Sequence, residues 1–570
     1  MANYLYIIAS EQEESSIDNF LFSQGILEAE DLFKKLENGI VEYYVSKEVS
    51  NHIYEGGRIF QGYCINYIER TVNYSAPQSN KDLQSGLEGC YFSIENSGSK
   101  ILISNDYFSQ LPILFFANKN YFACSDSLYV LFKLRKALGL SVDLDISSIK
   151  SRAWINSITN QLLSDRTPLS AIKYLPPHNS LEINITDGKP HTKIIADINS
   201  CSQNSRSYTE ATRSAAINIR SVISSLLNSY PLSLSLSGGL DSRVILAGAI
   251  KNKSTHNLNV GTNENLHRDL EVVKGLSKKF GFEYNSREKF SSTKTKNIDQ
   301  LSTYVLLSCG IYDSIYCPKR VPAQSIPIPI TGHGAEIFKG NYGLRSIEGI
   351  SNDCPFNRND FLSELRRGQD RLHVKTDPES SGEAHYFGYR NSLHGARSTI
   401  FSLYAIRPLM QKALAEFFMK PNNPLAHTQR KTVVHDLLIL LSPELASFDF
   451  DVANKNISKD YIDDRLSFLG GIIEDDELIS FEVLGSPNEK GHALSSFFLQ
   501  LASRDGYSGT LDLSDLTPLL SHKVVEIVPE LTNEVEYWLE FVEKLNSNID
   551  KKESHNIAIG KILSANIFWE

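Results

Sequence analysis

Two hydrophobic rhythms divide the chain. Up to about Ile194, short apolar or alternating runs are broken by turn residues, which predicts strands. Tyr4–Ala9 and Gly62–Ile68 are two of them. Gly89–Ile94 and Lys100–Ser104 are expected as antiparallel neighbours across the Asn96–Ser99 turn. Pro112–Phe116 and Tyr121–Cys124 flank Asn118–Asn120 as a hairpin, a helix is expected over Ser127–Leu138, and Lys173–Asn184 closes the region. Asp197–Ser207 is polar throughout and reads as a linker. From Tyr208 the rhythm becomes helical, with Ala215, Ile219, Val222, Ile223 and Leu226 on one face of a helix over Glu210–Asn228. Leu232, Leu234 and Leu236 then alternate as a strand, followed by an apolar helix from Leu240 to Ala249. Strand Leu258–Val260, helix Asp269–Phe280 and strand Ser325–Ile330 continue the alternation. That order predicts a parallel sheet with ligands at the strand C-termini. The remainder reads as helical, with helices over Leu403–Lys420, Val433–Leu441 and Asn533–Leu545.

The most chemically loaded stretch is Leu234-Ser-Leu-Ser-Gly-Gly-Leu-Asp-Ser-Arg243. A strand, a glycine turn and a helix start make an anion site. Glycines let backbone N–H groups approach a phosphate, and the helix N-terminus adds partial positive charge. Ser237 and Ser242 add hydroxyl donors. Asp241 would repel a phosphate unless a cation sits between them.

Composition narrows the field without naming a reaction. The 570 residues are 41% hydrophobic and 22% charged, ordinary for a soluble globular protein of two to four domains. A net charge of −10 argues against nonspecific nucleic-acid binding. Seven cysteines without CxxC pairs argue against a disulfide framework or zinc site and fit a reducing cytoplasm. Met-Ala-Asn-Tyr-Leu-Tyr-Ile-Ile reads as a first strand and not a signal peptide, and no apolar run approaches the ~20 residues of a membrane helix.

Ser237-Gly-Gly-Leu-Asp-Ser242 resembles the PP-motif of ATP pyrophosphatases, which cleave ATP to AMP and pyrophosphate. Its surroundings resemble the asparagine synthetase family. Thr331-Gly-His-Gly-Ala-Glu-Ile-Phe-Lys-Gly-Asn-Tyr342 is similar to that family's second signature, and Ala405-Ile-Arg-Pro-Leu-Met410 to its arginine-proline stretch. Upstream, Gly89–Ile94, Asn105-Asp-Tyr-Phe-Ser-Gln-Leu-Pro112 and Cys124-Ser-Asp126 resemble the skeleton of a class II glutamine amidotransferase domain. The implied architecture is an α+β N-terminal Ntn-hydrolase-like αββα sandwich over 1–200. An α/β adenine-nucleotide α-hydrolase-like parallel-sheet domain follows over 208–460, with a helical C-terminal extension over 461–570. Glutamine-hydrolysing members carry a cysteine directly after the initiator methionine. Here position 2 is Ala, so the first domain is expected to be glutaminase-inactive. That pattern is similar to β-lactam synthetases, carbapenam synthetases and lasso-peptide cyclases, where a substrate amine attacks.

The resemblance implies roles residue by residue. Leu236, Ser237, Gly238, Gly239, Asp241 and Ser242 would cradle the pyrophosphate of ATP, with Gly332 beside them, and Val260-Gly261 would pack the adenine. Asp241 and Glu336 would hold Mg²⁺; otherwise Glu336 is a surface glutamate. His333 is either the base that takes a proton from the amine or a histidine bonded to its own loop. Its ordinary pKa suits the first role. Lys455 either neutralises the α-phosphate or is a solvated lysine. Arg407 and Arg397 either bind phosphate or carboxylate or are internal ion-pair arginines. The expected reaction is ATP- and Mg²⁺-dependent amide formation through an acyl-adenylate, as in lasso-type macrocyclisation or lactam formation. Its substrate is a small molecule or peptide carrying a carboxylate and an amine, with a precursor-peptide protease or leader-binding partner and no nucleic acid or membrane. Alternatives are an ammonia-using amidotransferase acting on a small acid or sugar acid, and a nucleotide-binding scaffold without turnover.

Overall fold

The computed structural model describes residues 3–23, 29–54, 56–77, 86–196, 206–286, 295–315, 317–323, 326–374, 377–400, 402–420, 423, 426–487, 495–510, 517–543 and 552–568. Ala2, nearly all of the Asp197–Ser207 linker, Ser325 and Leu545 lie outside the described residues.

The strand-rich first region builds two sheets. One has six strands, Lys173–Leu175, Ile113–Ala117, Tyr121–Ser125, Tyr4–Ser10, Ile40–Ser46 and Leu32–Glu37 in spatial order, all antiparallel. The expected hairpin is present, Phe122 opposite Ala117. The second sheet carries Lys189–Ala196, Asn179–Thr186, Lys100–Asn105, Glu88–Asn96, Arg58–Asn66 and Thr71–Asn73 in order. Its Glu88–Asn96 and Lys100–Asn105 pairing matches the expected neighbours. The sheets face each other, since the Tyr4 ring stacks on Phe92 at 3.8 Å between centroids. Between them Gln61 donates to Ser46 Oγ at 2.9 Å. The helix Leu128–Ala137, capped by the Ser127 hydroxyl, packs on the first sheet.

After the capping box Ser207–Glu210 starts the helix Tyr208–Ser229, the second region forms a parallel sheet. Leu232–Ser235 lies between Leu258–Gly261 and Ile328–Ile330. Single parallel bridges extend it on both sides, Val260 to Tyr284 and Ile330 to Ile406. The described chain is thus mixed α/β with several sheets.

Two expectations need correction. Leu403–Lys420 is not one helix: only Lys412–Phe418 is helical, and Ile406 is extended beside Ile330. Pro408 explains this, because it lacks an N–H and disfavours helical geometry at Arg407. The C-terminal part is also not purely helical. Glu482–Leu484 adds to the second sheet, parallel to Thr71–Asn73. Beyond it, Thr517–Ile527, Thr532–Glu543 and Lys552–Ile567 pack together against Ile146–Ser151, where the Trp538 indole donates to the Ala153 carbonyl at 2.7 Å. One apolar core runs through both regions, so neither is a freely hung module.

Candidate nucleotide site

The strand Leu232–Ser235 delivers the glycine turn to the C-terminal edge of the parallel sheet. The helix Leu240–Ile250 starts there with Gly239 as its N-cap and no side-chain cap. Its first N–H groups therefore lack the usual capping oxygen, as an anion site requires. The turn is held by its own serines. Ser237 N–H donates to Ser242 Oγ at 3.1 Å, the two hydroxyls lie 3.1 Å apart, and Gly239 N–H donates to Ser237 Oγ at 3.2 Å. Gly238 N–H donates to the Asp269 carboxylate at 3.0 Å, so an anionic oxygen already rests on the loop. The backbone under the turn is engaged too, with Leu236 N–H donating to the Gly261 carbonyl at 2.7 Å and Asn285 N–H to the Val260 carbonyl at 2.9 Å.

Arg243 explains how a distant segment joins the site. It is fully buried one turn along the helix, donating to the carbonyls of Phe448 at 2.6 Å and Asp449 at 2.8 Å and lying over the Phe450 ring. Burial lowers its pKa to about 10, so it remains charged at neutral pH. The anchored segment crosses the glycine turn. Asp451 N–H donates to the Gly238 carbonyl at 3.3 Å, and a methyl on Gly238 would come within 2.6 Å of Asp451 Cβ. Lys455 follows, 3.0 Å from Asp451. A cleft of ≈720 Å³ opens here; Gly239, Asp241, Lys339, His435, Lys455 and Tyr461 are among its walls.

The second motif closes the other side. Gly332 packs on the first helical turn so tightly that a methyl would lie 2.7 Å from the Asp241 carbonyl carbon. The one-turn helix Glu336–Lys339 puts both its end residues near Asp241. Lys339 forms an ion pair with Asp241. Glu336 accepts from Gly334 N–H at 3.2 Å and acts on Asp241 as a like charge. Asp241 is pushed above the ordinary carboxylate range, first by burial, with Lys339 opposing and Glu336 adding to the shift. Mg²⁺ uses one or two carboxylates with phosphates and water, the donor type that Asp241 and Glu336 offer. Among the described residues no trio of His, Cys, Asp or Glu could hold a metal ion.

His333 lies deeper than its motif suggests. Its Nε2 is sealed from solvent with no hydrogen-bond partner among the described residues, against Gly395, and its ring stacks 5.5 Å from His394. Burial, with Arg407 and Arg397 adding to it, lowers its pKa to about 3. The expectation of a base poised near pH 7 is therefore corrected: His333 is neutral and a weak proton acceptor. Arg407 takes the internal reading. It is buried, donating to Gln110 Oε1 at 2.9 Å and to the Gly395 carbonyl at 3.2 Å, which ties the first region's Asn105–Pro112 loop to the second region. Arg397 donates to His394 Nε2 at 3.3 Å, and since arginine only donates, the His394 proton sits on Nδ1, facing the Tyr312 hydroxyl at 2.7 Å.

Leu236 to Ser242, Val260, Gly261, Gly332, Glu336 and Lys455 thus assemble at one sheet edge, whereas His333 and Arg407 sit behind it, apart from the residues lining the cleft. The sequence reading missed Asp269, Arg243's anchoring role, Lys339, His435 and Tyr461. Lys339 and Arg243 lie inside the two motifs, so proximity in sequence was their only signal. No protein-family model matches the chain, and no curated protein matches it.

Proposed function

We propose that this protein is an ATP-dependent amide-forming ligase of asparagine-synthetase-like type, with a PP-loop synthetase region and a degenerate Ntn-like first region. It adenylates a substrate carboxylate, releases pyrophosphate and lets a substrate amine displace AMP. The observation that carries the reading is the uncapped helix start after Ser237-Gly-Gly, already holding an anionic oxygen on Gly238 N–H, beside a cleft walled by Asp241, Lys339 and Lys455. The loop N–H groups and the helix start bind the pyrophosphate oxygens, with the phosphates displacing Asp269. Lys455 leans over the same opening and neutralises charge on the transferring phosphate. Mg²⁺, held by Asp241 and Glu336 with the phosphates, would neutralise the leaving pyrophosphate. Neutral His333, behind the cleft, does not take the amine proton.

The test is product analysis of labelled ATP with Mg²⁺, carboxylic acid pools and hydroxylamine as the amine. AMP and pyrophosphate are expected, and Asp241→Ala should abolish both. ADP and phosphate as the products would overturn adenylation.

A further inference from the structure

Lys339 is the cation the motif did not call for. It ends the helix Glu336–Lys339, three residues after Glu336 and therefore on the same side. Its ammonium reaches across to Asp241, at the first turn of the helix Leu240–Ile250. Both side chains retain some solvent contact, 31% for Lys339 and 26% for Asp241, so the pair faces the cleft and is not locked in the core. Lys455 stands in the wall of the same cleft. Asp241, Lys339, Lys455 and His435 all line it, Glu336 acts on Asp241 as a like charge, Lys455 pairs with Asp451 at 3.0 Å, and burial lowers the pKa of His435. Each of these ammoniums thus already has a carboxylate partner, Lys339 on Asp241 and Lys455 on Asp451. Asp269 on Gly238 N–H repeats the arrangement with opposite sign, an internal anion on the anion donor as Lys339 is an internal cation on the carboxylate.

We infer that Lys339 is a phosphate-binding residue of this site, a resident cation that competes with divalent metal for Asp241 and pairs with the pyrophosphate portion of the nucleotide. The inference rests on the nucleotide reading above. An ammonium this close to the loop gains a stronger partner when a polyanion enters, because phosphate oxygens accept charge-assisted hydrogen bonds and carry more charge than one carboxylate. Removing Lys339 has two opposed consequences. Asp241 loses its internal counter-charge and becomes a better metal ligand, while the phosphates lose a donor.

The experiment uses the full chain as wild type, Lys339→Met and Lys339→Arg, each checked for folding by circular dichroism. Mn²⁺ alone, followed by electron paramagnetic resonance, should bind Lys339→Met more tightly than wild type. ATP in EDTA, followed by calorimetry, should bind Lys339→Met about tenfold more weakly, the loss of one charge-assisted contact, and Lys339→Arg should restore most of it. Wild type binding ATP in EDTA with Lys339→Met equal to it would overturn the role of Lys339 and leave the nucleotide reading standing. So would Mn²⁺ affinity that falls in Lys339→Met. Wild type binding neither ATP nor inorganic pyrophosphate, with or without Mg²⁺, would overturn both.

Discussion

Gly332→Ala probes a close backbone contact in the site. The added methyl would lie 2.7 Å from the Asp241 carbonyl carbon, 2.9 Å from its oxygen and 2.9 Å from its Cβ. Carbon pairs rest about 3.5–4.0 Å apart, so the Thr331–Glu336 loop and the helix start must separate by about 1 Å. The obstructing atoms are mostly backbone in a helical first turn, which cannot rotate aside as a side chain can. Overpacking of this kind costs about 1–3 kcal/mol of stability. The functional cost is larger, because a misplacement of about 1 Å between catalytic groups is worth about 10²-fold in rate. Glu336 and Lys339 ride on the displaced loop, so the proposed cation and phosphate contacts would shift together. Gly239→Ala is the contrast. Its methyl would meet only Ser237 Oγ at 3.3 Å, and its φ of −81° suits any residue, so the expected cost is below about 1 kcal/mol. Urea unfolding and ATP calorimetry on both variants check this. Gly332→Ala with wild-type midpoint and ATP affinity, or Gly239→Ala as damaging as Gly332→Ala, would refute the reasoning.

Asp313→Ala should be among the most destabilising substitutions in the chain. Asp313 sits buried between Arg152 at 2.7 Å and Lys561 at 2.8 Å, and Lys561 also donates to the Thr159 carbonyl. Its loss leaves two buried cations unpaired, costing about 3–5 kcal/mol, read as a lower urea midpoint; an unchanged midpoint would show that the C-terminal helix is not held there. A pH prediction follows from buried imidazoles, His178 and His333 lowered to about 3 and His385 to about 4, mainly by burial. Their folded values lie below the unfolded value of about 6.5, so the unfolded chain takes up protons first. Their stabilisation is complete above that pH and declines as pH falls toward the folded values. Buried Glu88 and Asp106, raised to about 7, and Asp126, raised to about 6, have the opposite slope, costing stability as pH rises from about 4. Histidine NMR separates the two sets: these three rings should remain neutral at pH 5, and cationic shifts there would contradict their burial.

Local pattern carried the sequence a long way. Short apolar runs bounded by turn residues placed Tyr4–Ser10, Lys100–Asn105 and the Ile113–Ser125 hairpin, the first and the hairpin because strands buried on both faces are apolar throughout. Helical spacing placed a helix over Glu210–Asn228, observed as Tyr208–Ser229, and an apolar run placed Val433–Leu441. The glycine turn was legible because strand, Gly-Gly and helix are contiguous, so the chain itself dictates that their ends meet. What failed depended on distant partners. Leu403–Met410 has enough apolar residues for a helix, yet Ile330 offers Ile406 a parallel neighbour and Pro408 blocks the helical alternative. Glu482–Leu484 is too short to announce a strand and exists because Thr71–Asn73 presents an edge. The same division holds within the site. Sequence alone determined that a glycine turn followed by Asp241 stands between a strand end and a helix start. Only tertiary structure decided that Lys339 neutralises Asp241, that Asp269 sits on Gly238, and that Arg243 brings Lys455 over the turn. It also decided that burial beside Arg407 strips His333 of its basicity. A residue's charge state and partners are set by desolvation and by groups far away in sequence, and those are fixed only when the two regions close on one core.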